Sequence, residues 1–167
     1  MNKIISATDA NWEREKLSSF WEPNKQLLSS LRKYQKYRNK GTQFSKLISK
    51  IYVLKHRFWS IVTGADIPLS CLLGGGLLIP HPNGIVIHPK AKIGVNCLIF
   101  QQVTIGSIDE KVPTIGGHVD IGAGAKIIGN VTLGNDVKIG ANSVVMDNVP
   151  DNCTAVGIPA KVVKTNC

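Results

Sequence analysis

From Asp66 onward an aliphatic side chain returns at every sixth residue. The series runs Ile67, Leu73, Ile79; then Ile87, Ile93, Ile99, Ile105; then Ile115, Ile121, Ile127, Leu133, Ile139, Val145. Glycine follows directly in Ile93-Gly94, Ile105-Gly106, Ile115-Gly116, Ile121-Gly122, Leu133-Gly134 and Ile139-Gly140. Four positions after the aliphatic comes a smaller side chain, as at Cys97, Val103, Val119, Ala125, Val131, Val137 and Ser143. A period of six matches neither an amphipathic helix nor an isolated hairpin. It matches a triangular coil with three six-residue sides, each a short strand pairing with the coils above and below at about 4.8 Å. The aliphatic positions then stack inside the prism, the small ones fill its narrowing interior, and Gly or Asn turns the corners. One coil cannot bury its own interior, and this many positions build about five coils. The pattern predicts a parallel β-helix over residues 66–167.

Residues 1–65 follow another beat. One helix is predicted over roughly 24–39, after Pro23 and before Gly41, with Leu27, Leu28, Leu31 and Tyr34 forming an apolar stripe. A second is predicted over roughly 43–62, carrying Phe44, Leu47, Ile48, Ile51, Tyr52, Leu54, Phe58 and Trp59 and closed by Gly64. The fold class is therefore mostly β, a parallel β-helix preceded by a short, basic α-helical segment.

Charge sharpens that division. Residues 1–65 contain 13 Lys/Arg against 4 Asp/Glu, whereas residues 66–167 contain 7 of each. The basic helices are read as a solvated outer face on helices docked to a core, with weak contact to a membrane surface as the alternative; His56 is expected at that surface. No nucleic-acid-binding motif accompanies them. No apolar run approaches the ~18 residues that cross a bilayer, and MNKIISATDANWEREK shows no signal-peptide h-region. A cytoplasmic protein, at most peripheral at the inner membrane surface, is the expectation. Cys71, Cys97, Cys153 and Cys167 fit no metal spacing and are expected to be reduced apolar fillers.

The six-residue beat breaks twice. Between Ile79 and Ile87 the extra residues lie around His81-Pro82-Asn83-Gly84, and between Ile105 and Ile115 they lie at about Ser107 to Val112, SIDEKV. Insertions in a repeat protein become loops on one face and shape binding sites. His81 thus sits at a break in the scaffold. Asp66 precedes it by close to one coil, so the two are candidate neighbours on adjacent coils. A carboxylate beside an imidazole sets its tautomer and orientation and leaves the other nitrogen free to take a proton from an alcohol. His88 and His118 are read as solvated or packing residues.

The stretches GADIP (64–68), GGGLLIPHPNGIVI (74–87), QQVTIG (101–106), PTIGGHVDIGAGAKIIGNVTLG (113–134), VKIGANSVV (137–145) and AVGIPAKVV (155–163) resemble the serine acetyltransferases among the hexapeptide-repeat acyltransferases. The resemblance implies a left-handed coil, acetyl-CoA as cosubstrate with no metal, and a homotrimer with sites between neighbouring prisms. It implies His81 as catalytic base, Asp66 as its dyad partner, and a backbone N–H near residues 101–107 as oxyanion donor. It further places Gly106, Ala123 and Ala141 along the CoA arm, with Lys126 and Lys161 as candidates for the CoA phosphates. In the SIDEKV loop, Asp109 and Lys111 are candidates for the acceptor.

The chain also departs from that family. Pro80 stands where an Asp usually precedes the catalytic His, and Lys111-Val112 stands where Arg-His usually precedes the Pro matching Pro113. The helical segment is about half the usual length. The KTNC end lacks the Ile tail that docks on cysteine synthase, so no such complex is expected. The acceptor is left open between L-serine, giving O-acetylserine, and a sugar hydroxyl of a surface-polysaccharide precursor. A γ-carbonic-anhydrase-like metalloenzyme, needing about three His ligands, and a non-catalytic assembly module are the other classes considered.

Overall fold

The computed structural model describes residues 5–165. Cys167 lies outside them. Two helices, α1 (Pro23–Asn39) and α2 (Gln43–Thr63), precede the coils. Pro23 opens α1, where a missing N–H costs nothing. Just ahead of it, the Glu22 carboxylate accepts from the Ser18 and Ser19 amides and from Lys25 Nζ at 2.9 Å. The Lys25 bond and then those amides hold its carboxyl at about 2. Thr42 caps α2 by accepting from the Ser45 amide, and Gly64 ends it in the left-handed region at φ 65°. A side chain there would meet Asn83 Nδ2 at 2.9 Å, so glycine also lets the chain turn tightly into the first coil.

The coils wind left-handed into a prism with three parallel faces. One face stacks Leu72–Leu73, Lys92–Ile93, Thr114–Ile115 and Thr132–Leu133. The second stacks Leu98–Ile99, Asp120–Ile121, Lys138–Ile139 and Cys153–Gly157, then ends on the antiparallel strand Ala160–Thr165. The third stacks Val86–Ile87, Thr104–Gly106, Lys126–Ile128 and Val144–Val145, with Asp66 bridged to Val86 below them. Thr114 pairs with Thr132, a regular coil, while Lys92 pairs with Thr114 and Leu72 with Lys92 across the longer coils. The insertions therefore leave the register of the faces intact and project at corners.

Inside, identical positions stack as the period requires. Ile87, Ile105, Ile127 and Val145 line one wall, and Ile79, Ile99, Ile121 and Ile139 another, all buried. Cys97, Val119 and Val137 fill one narrowing edge, and Val103, Ala125 and Ser143 the next. Gly74, Gly94 and Gly116 form a ladder in which any Cβ would strike the next rung's backbone at 2.4 to 2.7 Å. Cys71, Cys97 and Cys153 are free and buried, as expected of fillers.

Two features depart from the sequence reading. Residues ahead of α1 form a strap along one corner of the prism, anchored on the fully buried Asn96. Its side chain accepts from the Asn11 amide at 2.8 Å and donates to the Ser6 and Asp9 carbonyls at 2.7 and 2.8 Å. Trp12 of the strap lies over Gly75 and stacks under the Arg32 guanidinium. The second departure is the rotation of α2. It buries Ser45, Ser49, His56, Trp59 and Thr63, while Phe44, Leu47, Ile51, Leu54, Phe58 and Ile61 face outward. The apolar stripe, expected on the core side, lies outside, and His56, expected at the surface, is buried. The buried side is polar as well as apolar: His56 Nε2–H donates to the Ile67 carbonyl at 2.8 Å, and Nδ1 faces the Ser30 hydroxyl of α1 at 3.2 Å. A carbonyl only accepts, so Nε2 carries a proton, while the Ser30 hydroxyl donates to the Leu27 carbonyl at 2.7 Å. Burial pushes this imidazole below its ordinary pKa.

Candidate active site

The longer coil at residues 79–87 places His81 on an exposed corner, between the Ile79 side and the Val86–Ile87 strand. Successive coils climb that corner in register. The Gln102 amide donates to the Asn83 carbonyl at 2.9 Å, the Gly124 amide to Gln101 at 2.9 Å, and the Asn142 amide to Ala123 at 2.8 Å. Ala123 and Ala141 are therefore two and three coils above the His81 turn, roughly 10 and 14 Å along the prism. Both carry only a methyl group, so the rail above His81 is low. Lys126 lies beside it, its Nζ donating to the Gln102 carbonyl at 2.7 Å. Gly106 ends the neighbouring strand, packed near Ile128.

Other expected residues lie further out. Lys161 sits in the terminal hairpin and is exposed, paired with Asp147 at 3.3 Å. SIDEKV forms a small hairpin in which the Ile108 and Lys111 backbones exchange hydrogen bonds of 3.1 and 2.9 Å. Asp109 and Glu110 turn it at φ 48° and 61°, the two positive values that a tight type I′ turn needs. Asp109 and Lys111 are exposed at this tip, at the opposite end of the Thr104–Gly106 strand from the His81 corner.

Asp66 is exposed one coil below His81: its amide donates to the Ile85 carbonyl and its carbonyl accepts from the Ile87 amide. The rung facing Asp66 is therefore Val86, on the strand that follows the His81 turn, while the Gly84 amide of that turn donates to the Gly64 carbonyl. The side chains of this single chain, however, share no hydrogen bond or ion pair. His81 lines a cavity of about 380 Å³ with Pro23, Asn24, Thr63 and Asn83. Asp66 lines a separate one of about 460 Å³ with Arg57, Ser60 and Leu69.

Two polar features escaped the sequence reading. Gln101 Oε1 is buried without a hydrogen-bond partner among the described residues, in the corner directly above His81. Its position in the rail was visible, but a Gln at a repeat corner, here in the pair Gln101-Gln102, carries no signal of burial. His118 Nδ1 donates to Asp136 Oδ1 at 2.7 Å across one regular coil on a different corner. His88 Nδ1 accepts from the Lys90 amide at 3.2 Å. Among the described residues no group of three His, Cys, Asp or Glu side chains is placed to hold a metal ion.

Residues 113–147 match the family described as bacterial transferase hexapeptide (six repeats). A serine acetyltransferase of Staphylococcus xylosus is 40% identical over 140 residues, which is 81% of this chain and 62% of that protein. Serine acetyltransferase of Neisseria gonorrhoeae, solved in complex with serine, superposes with a TM-score of 0.71 at 34% identity over 86% of this chain and 58% of its own. A serine acetyltransferase solved as a complex with CoA gives 0.72 and 32% over the same share of this chain and 58% of its own. The chain spans 44% to 62% of the length of the curated relatives it matches. In sequence and in architecture it belongs to the hexapeptide-repeat, left-handed β-helix family, as a serine acetyltransferase-like member.

Proposed function

We propose that this chain is an acetyl-CoA-dependent O-acetyltransferase with His81 as general base and L-serine as acceptor. The observation that carries the reading is the corner itself: an exposed imidazole at the foot of a rail that rises through Gln101-Gln102 to the small rungs Ala123 and Ala141. An extended pantetheine arm lying along such a rail sets its thioester beside His81. The imidazole takes the acceptor's hydroxyl proton as that oxygen attacks the thioester carbonyl. A C–O bond forms, the tetrahedral oxyanion is met by a backbone N–H of the 101–107 stretch, and the C–S bond breaks. The imidazolium returns its proton to the CoA thiolate. Gly106 leaves room for the arm, and Lys126 and Lys161 serve the CoA phosphates.

Asp66 is assigned as the positioning partner of His81, engaged when a second prism closes over this open corner. A homotrimer with sites between prisms supplies that wall. The relatives solved with CoA and with serine support the donor and the first choice of acceptor. A sugar hydroxyl is the second reading, favoured by Pro80 and Lys111-Val112, which replace charged groups usual in the family. Losing a buried charged contact costs on the order of 2–5 kcal/mol, enough to weaken serine binding severely. Asp109 and Lys111 of a neighbouring prism then meet the acceptor instead.

Thiol release from acetyl-CoA, corrected for hydrolysis, is measured with serine, simple sugars and nucleotide sugars. Saturable turnover with serine at millimolar levels is expected; turnover only with a saccharide replaces the acceptor. His81→Ala is expected to lower transfer by at least ~10²-fold with the particle mass unchanged. An undiminished rate removes His81 from the mechanism, and an undiminished Asp66→Asn rate removes the dyad.

A further inference from the structure

The outward face of α2 has a composition that neither the coils nor the transfer reaction uses. Phe44, Leu47, Ile51, Leu54, Phe58 and Ile61 recur at steps of three and four, a single stripe about 26 Å long. They are between 52% and 82% exposed. This rotation is held from behind by the His56–Ile67 and His56–Ser30 contacts and by Trp59, which packs edge-on against Trp21. The stripe is therefore presented by a helix whose other side is already occupied.

Its electrostatic setting selects what covers it. Residues 23–63 contain ten Lys/Arg and no Asp/Glu. Lys25 and Arg32 are committed to Glu22 and Glu15. The other eight are exposed and in no ion pair among the described residues. Lys50, Lys55 and Arg57 border the stripe itself. Packing this stripe on the same stripe of a second copy sets like charges face to face with no acidic group on either helix. A surface with an apolar interior and negative phosphates at its rim suits both features at once.

We propose that α2 docks in the plane of an anionic phospholipid bilayer surface, with the stripe in the acyl boundary and the lysines and arginine among the phosphates. The inference is independent of the acceptor and of the His81 chemistry. No helix among the described residues is long and apolar enough to cross a membrane, so the contact is peripheral.

Flotation of the full chain is measured with vesicles of phosphatidylcholine alone and of phosphatidylcholine with phosphatidylglycerol. Binding to the anionic vesicles that falls with added salt is expected, with little on the neutral ones. Lys50→Glu with Lys55→Glu, and separately Leu54→Glu with Phe58→Glu, are each expected to lower binding at least ~10-fold. Transfer to a water-soluble acceptor is unchanged in both, which separates this result from failure of the enzymatic reading. Absence of flotation by the wild-type chain overturns the proposal. So does a Leu54→Glu/Phe58→Glu variant that keeps its lipid binding but shows a smaller particle mass by light scattering, because the stripe is then a contact between copies.

Discussion

Replacing Asn96 by glycine should loosen the first part of the amino-terminal strap, from Ser6 to Asn11, while leaving the coils in place. Asn96 stands at φ 58°, so alanine would add a left-handed penalty of its own, whereas glycine isolates the side chain's contribution. That side chain makes three hydrogen bonds, to the Asn11 amide and to the Ser6 and Asp9 carbonyls. At a net ~0.5–1.5 kcal/mol each, their loss amounts to about 1.5–4.5 kcal/mol of strap anchoring. Trp12 over Gly75, Arg14 on the Asn96 carbonyl, and Glu15, which pairs with Arg32 and accepts from the Leu77 amide, remain as competing anchors for the carboxy-terminal half of the strap. Since about 1.4 kcal/mol is tenfold in an equilibrium, amide exchange across residues 6–11 should accelerate by roughly 10- to 10³-fold. The check is hydrogen exchange followed by mass spectrometry, with the Asp120–Ile121 and Lys138–Ile139 strands as internal standard. Strap exchange within about threefold of wild type, with the standard unmoved, would refute the assignment of Asn96 as anchor.

Three further outcomes are expected. Ile121→Ala, fully buried between Ile99 and Ile139 in register, should destabilise the fold by about 2–5 kcal/mol. The exposed Lys138→Ala should stay within ~0.5 kcal/mol, and denaturant unfolding compares the two. Burial pushes the thiol of Cys71 up to about 12 and that of Cys97 up to about 11. Neither should therefore react with iodoacetamide in the native protein at pH 8, and both should react once unfolded; native labelling at wild-type-unfolded rates contradicts the burial. Finally, His56 has its folded pKa below the unfolded ~6.5. Below pH ~6.5 the unfolded chain takes up a proton that the folded chain refuses. Stability should thus fall with acidification by up to ~1.4 kcal/mol per pH unit, and His56→Gln should flatten that part of the profile. A His56→Gln profile parallel to wild type between pH 7.5 and 5.5 would contradict it.

The amino-acid sequence by itself determined the prism. A six-residue period admits one packing solution, because the inward position must recur once per side, and both insertions announced themselves as breaks in that period. The same logic exposed His81 as a corner residue and put Asp66 about one coil away, and the boundaries of the helices followed from Pro23, Gly41 and Gly64. Period fixes which residues face inward only where a single wall of core exists. For α2 it put the apolar stripe on the core side, whereas the tertiary structure buries the side of Ser49, His56 and Trp59, where His56 reaches the Ile67 carbonyl, and leaves Phe44, Leu54 and Ile61 outward. Nor did spacing settle side-chain contact. Asp66 lies beneath Val86 rather than His81, and the two side chains line separate cavities, while His118 and Asp136, one regular coil apart, do meet. The strap was illegible for a related reason: its residues carry no period, and their place depends on Asn96, eighty-five positions after Asn11, offering three hydrogen bonds at a corner that exists only once the coils have stacked.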